Sequence, residues 1–157
     1  MRLWHMMRPD RIDAALRDGV ILPTGYNDLA RCEVKRVRGK RRPLGPDSNW
    51  CPHEHDRTPV TWFCTEPIAV RLCAGEVAWL FEVDTDAELW DQWAATRGAD
   101  PAWIAERQKA EDYEFSKRAR IQGGEWVTTD PIPREQWLSI KDLQLGALIP
   151  VSATRTA

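Results

Sequence analysis

The sequence predicts an α+β chain, and three observations carry that expectation. Strand-like runs stand towards both ends, helical periods are inserted between them, and no regular strand-helix alternation of the doubly wound kind links the two. At 157 residues, with 43% hydrophobic and 29% charged side chains, the chain has the length and balance of one ordinary domain that closes a core without disulfide or metal staples.

Residues 2 to 7 read as a short buried strand. A helix follows from about Pro9 to Asp18: proline suits its first turn, Ile12, Ala15 and Leu16 share a face, and Gly19 stops it. Residues 23 to 57, rich in proline, glycine and basic side chains, show no convincing period and predict a long loop. Pro59-Val60-Thr61-Trp62-Phe63-Cys64 predicts the next strand, and Val77, Trp79, Phe81 and Val83 alternate in another. Residues 68 to 73 fit a strand or a helical turn equally. Thr85-Asp86-Ala87-Glu88 has the spacing of a capping box, with Leu89, Trp90, Trp93 and Ala94 at helical spacing behind it as far as Gly98. Asp100-Pro101 predicts a capped helix to about Lys117. Strands resume at Glu125 and near Gln136 to Lys141, with Pro131 and Pro133 forcing an extended turn between them.

The bulk numbers exclude several classes. The longest apolar runs fall far short of the roughly 20 residues of a membrane-spanning helix, and the N-terminus lacks the basic-then-apolar pattern of a secretory signal. The expectation is a cytoplasmic protein with no membrane partner, in which Cys32, Cys51, Cys64 and Cys73 are reduced thiols or metal ligands. No glycine-rich phosphate fingerprint, P-loop or nucleophile elbow is present. A net charge of −2 argues against general nucleic-acid binding, yet the charge is uneven. Arg31, Lys35, Arg36, Arg38, Lys40, Arg41 and Arg42 face only Glu33 in one window, which reads as a solvated loop or as a phosphate-contacting segment.

Two stretches carry candidate chemistry. Ile121-Gln122-Gly123-Gly124-Glu125-Trp126-Val127 sets a carboxylate at the start of a strand behind a two-glycine hinge, where it can reach into a cleft. Leu3-Trp4-His5-Met6-Met7 places a histidine inside an apolar run. Trp62 and Phe63 supply an aromatic ring on a third strand.

Leu3-Trp4-His5 before a helix ending Leu16-Arg17-Asp18-Gly19, then Thr58-Pro59-Val60-Thr61-Trp62-Phe63, then Gly124-Glu125-Trp126-Val127 and Pro131-Ile132-Pro133, resemble the ADP-ribosyltransferase superfamily. Within it the chain looks most like the DNA-modifying toxins of the DarT type. The resemblance implies a single domain over 1-157 with a split mixed sheet and helices inserted between strands. It also implies NAD as substrate and transfer of ADP-ribose to an acceptor, with nucleic acid favoured. Glu125 would stabilise the positive charge that develops on the ribose as the nicotinamide bond breaks, as in glycoside cleavage. His5 would hydrogen-bond a ribose hydroxyl, and Trp62 or Phe63 would stack on nicotinamide. Such toxins also hold the cofactor with an arginine ahead of the second strand, for which Arg31, Arg42 and Arg57 are the candidates. The chain departs from the pattern at Met6, where a hydroxyl residue is common.

Other readings stand beside this one. Trp50-Cys51-Pro52-His53-Glu54-His55-Asp56, with Cys64 beyond, concentrates zinc-ligand types, although no Cys-x-x-Cys pair exists and the spacing matches no standard finger. Cys51, His53, His55 and Cys64 are therefore the weaker, metal-binding candidates, and the rival function is a non-enzymatic, zinc-stabilised module for nucleic acid or protein. A further alternative is a superfamily member that hydrolyses NAD. Nine tryptophans are present: Trp79, Trp90, Trp93, Trp103 and Trp137 fall at core spacing, whereas Trp50 is placed to stack on a base. With Arg36, Arg38, Lys40, Arg41 and Arg42 it forms the candidate nucleic-acid contact.

Overall fold

The computed structural model describes residues 1–29, 34–37, 40–43, 57–67, 79–110, 114–143 and 148–149, and over these the chain is α+β. Strand β1 (Arg2–Met7) leads through Arg8 into helix α1 (Pro9–Asp18), which starts with proline in its first turn. It ends where Gly19 turns left-handed at φ 67° and returns its N–H to Ala15 O at 2.9 Å. Ile12 and Ala15 are its buried face.

Strand β1 pairs antiparallel with β6 (Trp79–Asp84), setting His5 opposite Phe81, and β6 pairs with β10 (Trp137–Asp142). With β11 (Leu148–Ile149) these make a four-stranded sheet in the order β1-β6-β10-β11. A second sheet, in the order β5-β8-β7, is formed by β5 (Thr61–Phe63), β8 (Trp126–Thr128) and β7 (Glu88–Leu89). The two sheets meet where β1 and the end of β5 exchange hydrogen bonds, Trp4 N to Cys64 O at 2.9 Å and Cys64 N to Trp4 O at 3.0 Å. A short ribbon ties β2 (Val20–Ile21) to β9 (Ile132–Pro133). Every strand pairing among the described residues is antiparallel. The parallel component of the expected mixed sheet is not seen among them, and short strands favour the antiparallel ladder, which is the more stable per residue.

Three local expectations change. Part of the 23–57 stretch expected as loop is an antiparallel ribbon, β3 (Val34–Val37) with β4 (Lys40–Pro43). The capping box at Thr85–Glu88 does not form. Glu88 and Leu89 are drawn into pairing with Val127 and Trp126, so helix α2 (Trp90–Thr96) starts four residues after the first helical position such a box implies, with no side-chain cap. The helix expected from Pro101 to about Lys117 is described as α3 (Pro101–Ala110) and α4 (Glu114–Ile121), the second running past the expected end. The Asp100 cap is as expected, its carboxylate accepting from Ala102 N at 2.9 Å.

Among the described residues two large apolar clusters fill most of the interior, and a small one joins Cys64 and Ala119 with Trp4 packed against it. Of the large two, one packs α1 on the four-stranded sheet through Leu3, Met7, Ile12, Phe63, Phe81, Trp137 and Ile140. The other gathers Leu29, Val60, Trp90, Trp93, Ile104 and Val127 around α2 and α3. Trp90, Trp93 and Trp137 are core, as their spacing indicates, Trp79 is half-buried, and the side chain of Trp103 lies outside the described residues.

Candidate functional site

A cleft of about 800 Å³ takes its walls from both large apolar clusters. Met6, Met7, Ala14 and Ala15 come from β1 and α1, while Leu22, Gly25, Tyr26 and Asp28 come from the chain after β2. Val60, Thr61 and Trp62 come from β5, and Arg107 and Glu125 also line the cleft. His5, Trp62 and Glu125, far apart in sequence, thus share one cavity.

Each is held by identifiable chemistry. Strand β1 presents His5, whose Nδ1 lies 2.9 Å from Trp62 O. A carbonyl only accepts, so Nδ1 carries the proton and neutral Nε2 keeps its lone pair. Burial pushes this imidazole below its ordinary pKa, and the bond to Trp62 only partly offsets that. Trp62 donates its Nε1–H to Tyr26 O at 2.7 Å and stacks on Trp90 with centroids 6.2 Å apart. Trp90 in turn donates to Asn27 O at 2.8 Å. Successive side chains on a strand point to opposite faces. Of the two aromatic candidates, therefore, Trp62 lines the cleft and Phe63 is fully buried in the main core, edge-on to His5 at 6.0 Å.

Glu125 follows two glycines that take conformations L side chains rarely adopt, Gly123 at φ 126° and Gly124 at φ 99°. A Cβ on Gly124 would sit 2.6 Å from Leu89 Cδ2. The backbone is pinned on either side: Gly124 N bonds Ala119 O at the end of α4, and Glu125 O accepts from Trp90 N, both at 2.8 Å. The turn therefore fixes where Glu125 enters the cleft.

Glu125 is 6% exposed and its carboxylate is paired. Arg107, on α3 and also 6% exposed, donates Nη1 to Glu125 Oε2 at 2.8 Å. Its other edge donates to Asp28 Oδ2, from Nη2 at 2.6 Å and Nε at 3.1 Å. The guanidinium also lies 4.0 Å from the centroid of the Trp90 ring. Burial works against the charge of Arg107, but Glu125 and Asp28 more than reverse this, raising its pKa above the ordinary value. Among the described residues the cluster sets two carboxylates against one guanidinium, a net negative formal charge. Asp28 meets Arg107 from a left-handed backbone at φ 65°, which aspartate tolerates better than most residues.

Two acceptors in the cleft have unused capacity. No hydrogen-bond partner of Glu125 Oε1 or His5 Nε2 lies among the described residues. Thr61 Oγ1, buried in the lining of the same cleft, is likewise without one there, and its hydroxyl can donate or accept. Acceptors on a negatively charged wall suit a ligand that brings hydroxyl donors and develops positive charge.

Arg107, Asp28 and Thr61 are site residues that the sequence does not single out. Arg107 leaves a faint trace, a basic residue three positions after Ile104 and so on that residue's buried helix face. Of the other candidates, Arg57 is exposed and not on the cleft wall. Cys64 is a buried thiol bonded to Glu66 O at 2.9 Å. Arg31, Arg38, Trp50, Cys51, His53 and His55 lie outside the described residues, and Arg36, Lys40, Arg41 and Arg42 are described only in their backbone. Comparison with protein-family models, with curated proteins and with solved structures finds no match to this chain.

Proposed function

We propose that this protein is an NAD-dependent ADP-ribosyltransferase and that the cleft holds the nicotinamide-ribose end of NAD. One observation carries the reading: His5, Trp62 and Glu125 line a single cleft. Glu125 Oε1 stabilises the ribosyl cation as the bond to nicotinamide breaks, in a wall whose net charge is already negative. His5 Nε2 accepts from a ribose hydroxyl, and Trp62 offers its ring to the nicotinamide. The junction of two antiparallel sheets at β1 and β5, with Glu125 entering at β8, supports an ADP-ribosyltransferase-like split sheet.

Nucleic acid is the acceptor class this reading favours. In the β3-β4 ribbon Lys35 is paired with Arg42 and Arg36 with Arg41. Like charges at directly opposed positions oppose pairing, and a phosphate backbone relieves that repulsion. NAD labelled in its adenylate half, incubated with DNA, RNA and protein, tests both halves of the proposal. Label is expected on nucleic acid with the unaltered protein and not with Glu125→Ala. Label on nucleic acid from the Glu125→Ala protein rules out the catalytic assignment, and label on protein alone rules out the acceptor.

A further inference from the structure

We propose that Arg107 is the positioning residue of the cleft, a clamp that takes Glu125 by Oε2 so that Oε1 is the oxygen presented to the ligand. This rests on Glu125 being the carboxylate that meets the ligand. The guanidinium is planar, and its orientation is over-determined. Asp28 takes the edge formed by Nε and Nη2, at 3.1 and 2.6 Å, and Trp90 takes one face at 4.0 Å. With that edge and that face fixed, the direction of Nη1 is fixed too, and Glu125 Oε2 lies along it at 2.8 Å.

Asp28 is itself held from behind. The side chain of neighbouring Asn27 bonds Thr58 O and Leu29 N, each at 2.8 Å, while Asn27 O accepts from the indole of Trp90. The clamp therefore joins the chain after β2, helix α3 and the turn before β8. A lysine keeps the positive charge at position 107 but has one nitrogen on a flexible stem, with no second edge for Asp28 and no plane to lay on Trp90. Charge and position are thereby separable.

Two measurements on Arg107→Lys, Asp28→Asn, Glu125→Gln and the Arg107→Lys/Glu125→Gln double variant decide the matter. The first is thermal unfolding by circular dichroism, which also establishes that each variant is folded at the assay temperature. If Arg107 holds Glu125, the loss in Tm of the double variant is smaller than the summed losses of the two singles, because they remove the same interaction. The second is steady-state nicotinamide release from NAD. Arg107→Lys is expected to lower kcat by about 10²-fold, the cost of roughly an ångström of misplacement, with KM near that of the unaltered protein. Asp28→Asn, which leaves Arg107 in place but loosens its far edge, is expected to lower kcat by less. Additive Tm losses overturn the clamp, as does unaltered kcat in folded Arg107→Lys. An unaltered protein that leaves NAD intact while the Tm losses are non-additive removes the enzymatic reading and supports the clamp.

Discussion

At the residue scale, Arg107 and His5 show how burial turns an ordinary side chain into a device. Arg107 lies between two carboxylates in an almost closed environment. Removing one partner of a buried ion cluster strands the others without solvent. Arg107→Met is expected to lose about 3–5 kcal/mol of unfolding free energy, measured by urea denaturation. Exposed pairs such as Arg17 with Asp18 are expected to be worth far less when broken. For His5 the sign follows from burial, which lowers its pKa in the folded chain. The unfolded chain binds the proton first, so the contribution of His5 to stability is fully present above about pH 6.5 and is lost as pH falls through the folded-state value. A melting series from pH 8 to pH 5 is expected to show a steeper acid-side fall for the unaltered protein than for His5→Asn. Equal slopes would mean that His5 is not desolvated as described.

At the element scale, the turn into β8 and the β3-β4 ribbon each carry an expectation. Gly124 has a backbone only glycine takes without strain, and Leu89 occupies the space of its missing side chain. Gly124→Ala is expected to destabilise by more than about 1 kcal/mol. It is also expected to slow NAD cleavage, because the turn sets the entry of Glu125. Replacing Arg41 and Arg42 by glutamine is expected to weaken binding to nucleic acid and to lower the slope of log affinity against log salt by about one for each phosphate no longer neutralised. An unchanged slope would place nucleic-acid binding, if any, elsewhere.

The legible elements are those whose signal is local. Strand β1, helix α1 and its Gly19 stop, and β10 are readable because alternation, a proline start and a glycine stop act within a few residues. The start of α2 differs from its sequence pattern because Leu89 is claimed by β8, a partner 37 positions away by the register that sets it against Trp126. The ribbon escapes because its basic residues do not alternate with apolar ones, so period two carries no signal there.

At the scale of the whole molecule, the cleft takes its walls from two apolar clusters, one packed on the four-stranded sheet and one around α2 and α3, while Trp4 and Cys64 at the junction of β1 and β5 belong to a third with Ala119. His5, Glu125 and the pair Trp62 or Phe63 can be named from residue type, strand position and the family resemblance, but only the structure chooses Trp62 over Phe63. Arg107 and Asp28 cannot be so named, because an ion cluster closed between a helix and a distant loop leaves no period in the sequence. Among the described residues no helix is long and apolar enough to cross a membrane. The central claim is that Glu125 does chemistry on a nicotinamide-ribosyl substrate, and nicotinamide release at saturating NAD, with nucleic acid present, tests it most directly. The expected result is release by the unaltered protein and a rate lower by about 10²–10³-fold in Glu125→Gln with NAD binding retained; equal rates from the two proteins would contradict it.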